Sequence, residues 1–139
     1  MLGRNRRGVL SADEPVVAQG MGYLQGLAAA QVAGAHLVLA TARRILIVNE
    51  RPRPSRSRLT ERDIFHELPW HSISGCWHGS VAPPPATRLV DLTAREAFVL
   101  HLKTSDPTDY PDLVVFPYDS DTWSEILRAA GISVTNDLG

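Results

Sequence analysis

The chain has 139 residues, 44% hydrophobic and 21% charged, which suits one domain with one core. A net charge of −1 excludes a globally basic nucleic-acid binder, and a single cysteine excludes an intrachain disulfide. No apolar run reaches the length of a membrane span, and the basic start through Arg7 is not followed by a signal-peptide core, so the cytoplasm is the expected compartment.

The small net charge hides an asymmetry. Residues 1–62 hold ten Arg against four acids, a surplus of six positive charges. Residues 63–139 hold four cations against eleven acids, a surplus of seven negative charges. Such a dipolar chain can present a basic face to an acidic partner. Thirteen Arg against one Lys points to a GC-rich coding sequence, as in certain bacteria and their phages.

In chain order, residues 1–12 read as a flexible basic arm, 13–131 as the folded domain and 132–139 as a frayed tail. Asp13–Gln19 starts a short strand, with Pro15 tolerable near its beginning. Gly20, Gly22 and Gly26 interrupt the next segment, and Leu27–Val32 fits either a helical turn or a strand edge. His36–Ala40 and Ile45–Asn49 are two Val/Ile/Leu-rich strands joined by the polar turn Thr41 to Arg44, a hairpin. Arg51–Arg58 alternates Arg with Pro and Ser and reads as a loop, because proline blocks a ladder and like charges repel.

Asp63–Trp70 and Ser72–Val81 read as further strands, followed by the stiff connection Pro83–Pro85. Arg88–Leu92 and Ala97–Lys103 alternate apolar and polar side chains, which predicts two more strands around a turn at Thr93–Glu96. Leu113–Phe116 is the last strand. Asp119 or Ser120 then caps a helix whose Trp123, Ile126, Leu127 and Ala130 form one apolar stripe, with Gly131 placed to end it. The fold class is mainly β: about seven antiparallel strands in a curled, partly open barrel capped by one C-terminal helix. Trp123 is the expected core plug, since one indole fills much of a small barrel.

The hairpin Leu37–Val48, with its apolar, Thr, x, Arg-Arg, apolar pattern, resembles that of bacterial PH-like and GRAM-like domains of the pleckstrin-homology superfold. Leu68–Ile73 is similar to their next strand, and the likeness spans roughly residues 13–131. The resemblance implies a non-enzymatic module, without cofactor, that binds anionic lipid headgroups or proteins. The lipid-binding subset carries spaced Lys and Arg between its first two strands. Residues 20–35 here contain neither, a departure that argues against specific phosphoinositide recognition.

Protein–protein interaction or self-association is therefore the first expectation, through an open sheet edge or the groove beside the helix. Trp70 and Trp77 are the candidate hot spots, since Trp is enriched among them. Arg43, Arg44, Arg51, Arg53, Arg56 and Arg58 are the candidate anion or partner contacts, because guanidinium grips oxyanions bidentately. Peripheral binding to anionic lipid through the arm and loop is the alternative. The basic stretch lacks the aromatics that single-stranded nucleic acid stacks on.

Three chemical readings are weaker. His66, His71, Cys76 and His78 are zinc-type ligands but lack zinc-site spacing. Cys76 with His71, His78 or His101 is the thiol-enzyme alternative and requires a lowered thiol pKa. Asp106, Asp109, Asp112, Asp119 and Asp121 lack the glycine and terminal glutamate of a calcium loop.

Overall fold

The computed structural model describes residues 10, 13–26, 32–48, 63–87, 89, 91–103 and 110–136. The Arg51–Arg58 loop and nearly all of the basic arm lie outside them.

Eight strands form one sheet: β1 (Ala18–Gln25), β2 (Val32–Ala40), β3 (Arg44–Val48), β4 (Ile64–Pro69), β5 (Ile73–Val81), β6 (Arg95–Leu102), β7 (Asp112–Pro117) and β8 (Val134–Asn136). Their order across the sheet is β4-β3-β2-β1-β7-β6-β5-β8, and the sheet is not closed. Every pairing is antiparallel except that of β8 with β5. One helix, α1 (Ser120–Ala129), packs on the sheet.

The apolar alternation explains the layers. Val38, Ile45, Ile47, Phe98, Leu100 and Val115 point into the main core, which Trp123 and Leu127 of α1 close from the other side. Trp123 has no exposed surface, and its indole N–H donates to the Gln19 carbonyl at 2.8 Å. The opposite face of the hairpin is also covered, by Leu10 and Val16 against Leu39, Leu46 and Val48. This two-sided burial is why β3 reads as a continuous apolar run rather than an alternating one.

The ends of α1 obey local rules. The Asp119 side chain accepts the Asp121 N–H at 3.1 Å, and Asp121 adds negative charge to the first turn. At the other end Gly131 takes a φ of 78°. Its N–H donates to Arg128 O at 3.0 Å, and the Ile132 N–H donates to Leu127 O at 2.9 Å. That pair of bonds is a Schellman cap.

Four expectations change. Gly20 and Gly22 do not interrupt a segment; they sit within β1, because a Cβ at either would collide with the β7 backbone. Asp13–Gln19 is mostly not strand, since β1 starts at Ala18. Leu89, Asp91 and Leu92 lie outside any strand. Thr87 turns the chain there, its hydroxyl donating to Pro84 O at 2.7 Å, and Leu89 packs on the outer cluster of Tyr23, Ala97, Val114 and Phe116. Those residues need cover more than the sheet needs another strand. Finally, Val134–Asn136 is a strand rather than part of a frayed tail.

The close β1–β7 approach is testable. Gly22→Ala should cost roughly 1–3 kcal/mol in urea denaturation, as overpacking does. Gly75→Ala, whose added Cβ meets nothing nearer than 3.9 Å, should shift the midpoint little.

Candidate functional site

The charged chemistry of the hairpin turn proves to be internal. Arg44 Nε donates to Glu14 Oε2 and Nη2 to Glu14 Oε1, both at 2.8 Å, while Nη1 donates to Glu67 Oε2 at 2.8 Å. Glu14 is only 4% exposed, and the Thr41 hydroxyl gives its carboxylate a further bond of 2.9 Å. Arg43 reaches Asp13 at 2.9 Å, in a pair exposed to solvent. Both guanidinium groups are thus directed at the chain's own acids, Arg44 in a part-buried clamp and Arg43 in a solvent-exposed pair. Arg51, Arg53, Arg56 and Arg58 lie outside the described residues.

Trp70 is likewise part of the scaffold. It is 8% exposed, and its indole N–H donates to Thr41 O at 2.9 Å. It anchors the β4–β5 corner against the hairpin turn and leaves little surface for a partner. Trp77 is half-buried on the outer face of β5, and its ring lies so close over Gly79 that a side chain there would collide with it.

The histidines take separate posts. His78 stacks on Phe98 with ring centroids 4.3 Å apart and contacts Glu96 Oε2 at 2.6 Å. The Ser120 hydroxyl donates to the same carboxylate oxygen. Serine, glutamate and histidine therefore meet, but the acid lies between the other two. The hydroxyl proton points at the carboxylate, so the imidazole has no path to activate the serine. The cluster ties the first turn of α1 to β5 and β6, and the serine and histidine hydrogen bonds hold the Glu96 carboxyl below its ordinary range. His101 pairs with Asp112 at 2.9 Å on the exposed side of β6 and β7.

Among the described residues no three His, Cys, Asp or Glu side chains gather as a metal site. Cys76 is 3% exposed, and burial pushes its thiol up to about 12. The thiol is protonated at neutral pH, the opposite of an activated nucleophile. No helix among the described residues is long and apolar enough to cross a membrane.

The sheet edges remain. β4 exposes Phe65, His66 and Glu67, with Phe65 44% exposed and stacked on His36 at 4.6 Å. This edge is blunted, however. The Thr41 N–H donates to Arg44 O, so alternation turns Ile45 and Ile47 towards β4 and leaves Phe65, Glu67 and Pro69 facing outward. Pro69 has no N–H to offer, and the register shifts beside Phe65. A proline and a bulge are common devices against edge pairing. The β5 edge has its own register shift at Ser74 but no proline within Ile73–Val81. The Cys76 N–H donates outward to Ser133 O at 2.9 Å, and alternation turns His78 and Ser80 the same way. Among the described residues β8 pairs with Cys76, Trp77 and His78 of the nine residues of β5. Nothing in the sequence marked this edge, because a three-residue polar strand carries no periodicity.

A cleft of about 250 Å³ beside the start of α1 is lined by Val16, Val17, Gln19, Tyr118 and Thr122 among others. Its Asp119 oxygens already accept the Thr122 hydroxyl and the Asp121 N–H. Compared with known protein families and with curated proteins, the chain matches no family model and no curated sequence.

The clamp and the thiol can both be tested. Arg44→Ala leaves a buried carboxylate unpaired and should cost about 3 kcal/mol in chemical denaturation, as broken buried pairs do. Because its Arg44 and Thr41 bonds hold Glu14 low, its contribution is present above the ordinary carboxylate range and lost as pH falls through the lowered value. Arg44→Ala should therefore remove part of the acid sensitivity of the wild type. Secondly, Cys76 should resist a thiol reagent in the native protein at mildly alkaline pH and react only after unfolding, as read by absorbance.

Proposed function

We propose that this chain is a non-enzymatic binding module of PH-like type that engages another protein in the bacterial cytoplasm. The observation that carries the reading is the uncovered length of β5: among the described residues, only three of its nine residues have a strand on their outer side. A sheet edge with free N–H and C=O groups recruits an extended segment of another chain through backbone bonds. Strands followed by a single helix with an inward Trp123 support the PH-like architecture. The buried Cys76 thiol and the Ser120–Glu96–His78 order supply no nucleophile at this edge.

The lipid alternative has less support. Arg43 and Arg44, two of its six candidate cations, are held by Asp13, Glu14 and Glu67. Surface attraction to anionic lipid depends on cations that can face the membrane.

The test compares the wild type with Ser80→Pro. The Ser80 N–H faces outward, so proline leaves the β6 ladder intact while blocking an added strand. Affinity capture from host cytosol with quantitative mass spectrometry should retain a partner on the wild type and lose it on Ser80→Pro. Identical capture by both would overturn the reading. So would flotation with phosphatidylserine vesicles at physiological salt that vanishes when Arg51, Arg53, Arg56 and Arg58 become Ser.

A further inference from the structure

We infer that β8 is an occupant in cis of the β5 docking edge, displaced when an extended, uncharged segment of a partner protein pairs with β5. The inference deepens the binding reading and rests on it.

Four observations carry it. First, β8 is the one parallel element among the described strands of an otherwise antiparallel sheet. Parallel pairing is slightly weaker per residue than antiparallel pairing. Secondly, among the described residues β8 covers three residues of a nine-residue strand, and all three of its own residues are exposed. An incoming strand that pairs along more of β5 forms more backbone bonds than it displaces. Thirdly, β8 is detachable without damage to α1. The Schellman bonds of Gly131 and Ile132 end before Ser133, and Ile132 packs on the core by itself. Only the segment beyond that anchor needs to leave. Fourthly, the edge is chemically neutral. Ile73–Val81 contains no Asp, Glu, Lys or Arg, and neither does Val134–Asn136. The resident strand thus defines what the edge accepts: backbone donors and acceptors in extended conformation, with a small apolar residue opposite Cys76 and an uncharged polar one opposite Trp77.

The arrangement sets an order of events. The β8 segment is covalently attached, so its effective concentration at β5 is high although its pairing is short. A weak strand is thereby sufficient to shield Cys76 and His78 from indiscriminate pairing. A partner succeeds when its longer ladder offsets that advantage, which makes the edge selective for length as well as for composition.

The experiment uses the full chain. Thr135→Pro removes an N–H from β8 and disfavours its ladder, Val134→Asp disfavours it by charge, and Thr135→Ala is the control. Amide exchange is followed residue by residue by NMR. In Thr135→Pro and Val134→Asp, exchange at Cys76 and His78 should rise at least ~10-fold, the mark of a local opening, while Phe98 and Leu113 stay unchanged. A fluorescein-labelled synthetic copy of residues 131–139 should then bind both opened variants at least ~10-fold more tightly than the wild type and restore slow exchange at Cys76 and His78. A scrambled peptide should do neither. Unchanged exchange in both variants would overturn the proposal, because β8 would not be what covers the edge. Accelerated exchange without peptide binding would overturn it equally, because the opened edge would not accept a strand. Since the peptide is supplied, success here is independent of whether cytosolic capture finds a partner. Peptide binding with failed capture would sink the binding reading and leave the edge competent.

Discussion

One carbonyl oxygen holds the architecture together. Gln19 O accepts the Tyr118 N–H at 3.0 Å and the Trp123 indole N–H at 2.8 Å. Gln19 lies on β1, the strand that joins the β2–β4 side of the sheet to the β5–β7 side, and Tyr118 and Trp123 flank the start of α1. The two bonds therefore fix the end of β7, the entry of the helix and the depth of its indole at once. A buried indole N–H left without an acceptor would cost about 1–3 kcal/mol, so the plug is directional as well as apolar. The glycines of β1 belong to the same constraint. Gly20 and Gly22 let the β7 backbone come close enough for Tyr118 to reach Gln19.

A second fixed point lies close by, at the hairpin turn, since Gln19 pairs with Leu39. Thr41 sits at its centre: its hydroxyl serves Glu14, and its carbonyl receives the Trp70 indole N–H. Arg44 completes the network through Glu14 and Glu67. An arginine pair read in isolation is an anion site. Placed beside two carboxylates, with one of them almost fully buried, the same pair is a clamp between the segment before β1, the turn and β4. The sequence held a hint in Asp13 and Glu14, but pairing across 30 positions leaves no local signature.

How legible the chain was depended on the range of the interaction. The hairpin, the alternating β6, the β7 run and the helix stripe ending at Gly131 were all readable, because each follows from periodicity or a local cap within a few residues. The helix began at Asp119, one of the two caps the sequence offered, and ended before Gly131. The expected strand Arg88–Leu92 failed at Leu89, Asp91 and Leu92 for an instructive reason. Its apolar residues alternate as a strand's do, yet Leu89 serves a cluster on the outer face of the sheet, and alternation cannot tell a strand from a crossing segment that dips one side chain at a time. The burial of Trp70, a hot-spot candidate by residue type, was unreadable for the complementary reason: the carbonyl that captures it is 29 residues away. The candidate cations at Arg51, Arg53, Arg56 and Arg58 lie outside the described residues, so the sequence remains their only account.

The two ends of the open sheet resolve the same hazard in different ways. β4 keeps its outward backbone groups from other chains by composition, with Pro69 lacking a donor and a register shift beside Phe65. Those devices are permanent, since no conformational change restores an N–H to proline. β5 has no proline, its register shift lies at Ser74 ahead of the β8 contact, and from Cys76 to His78 its protection is another piece of chain held by a short ladder. Protection of that kind differs from a proline block: among the described residues it consists of three residue pairs on a tethered segment, which a longer ladder could exceed. An edge that needed only to be silenced could have carried a proline, as β4 does. The use of a removable strand at one edge and a fixed block at the other is the asymmetry expected if β5 is the edge that must open.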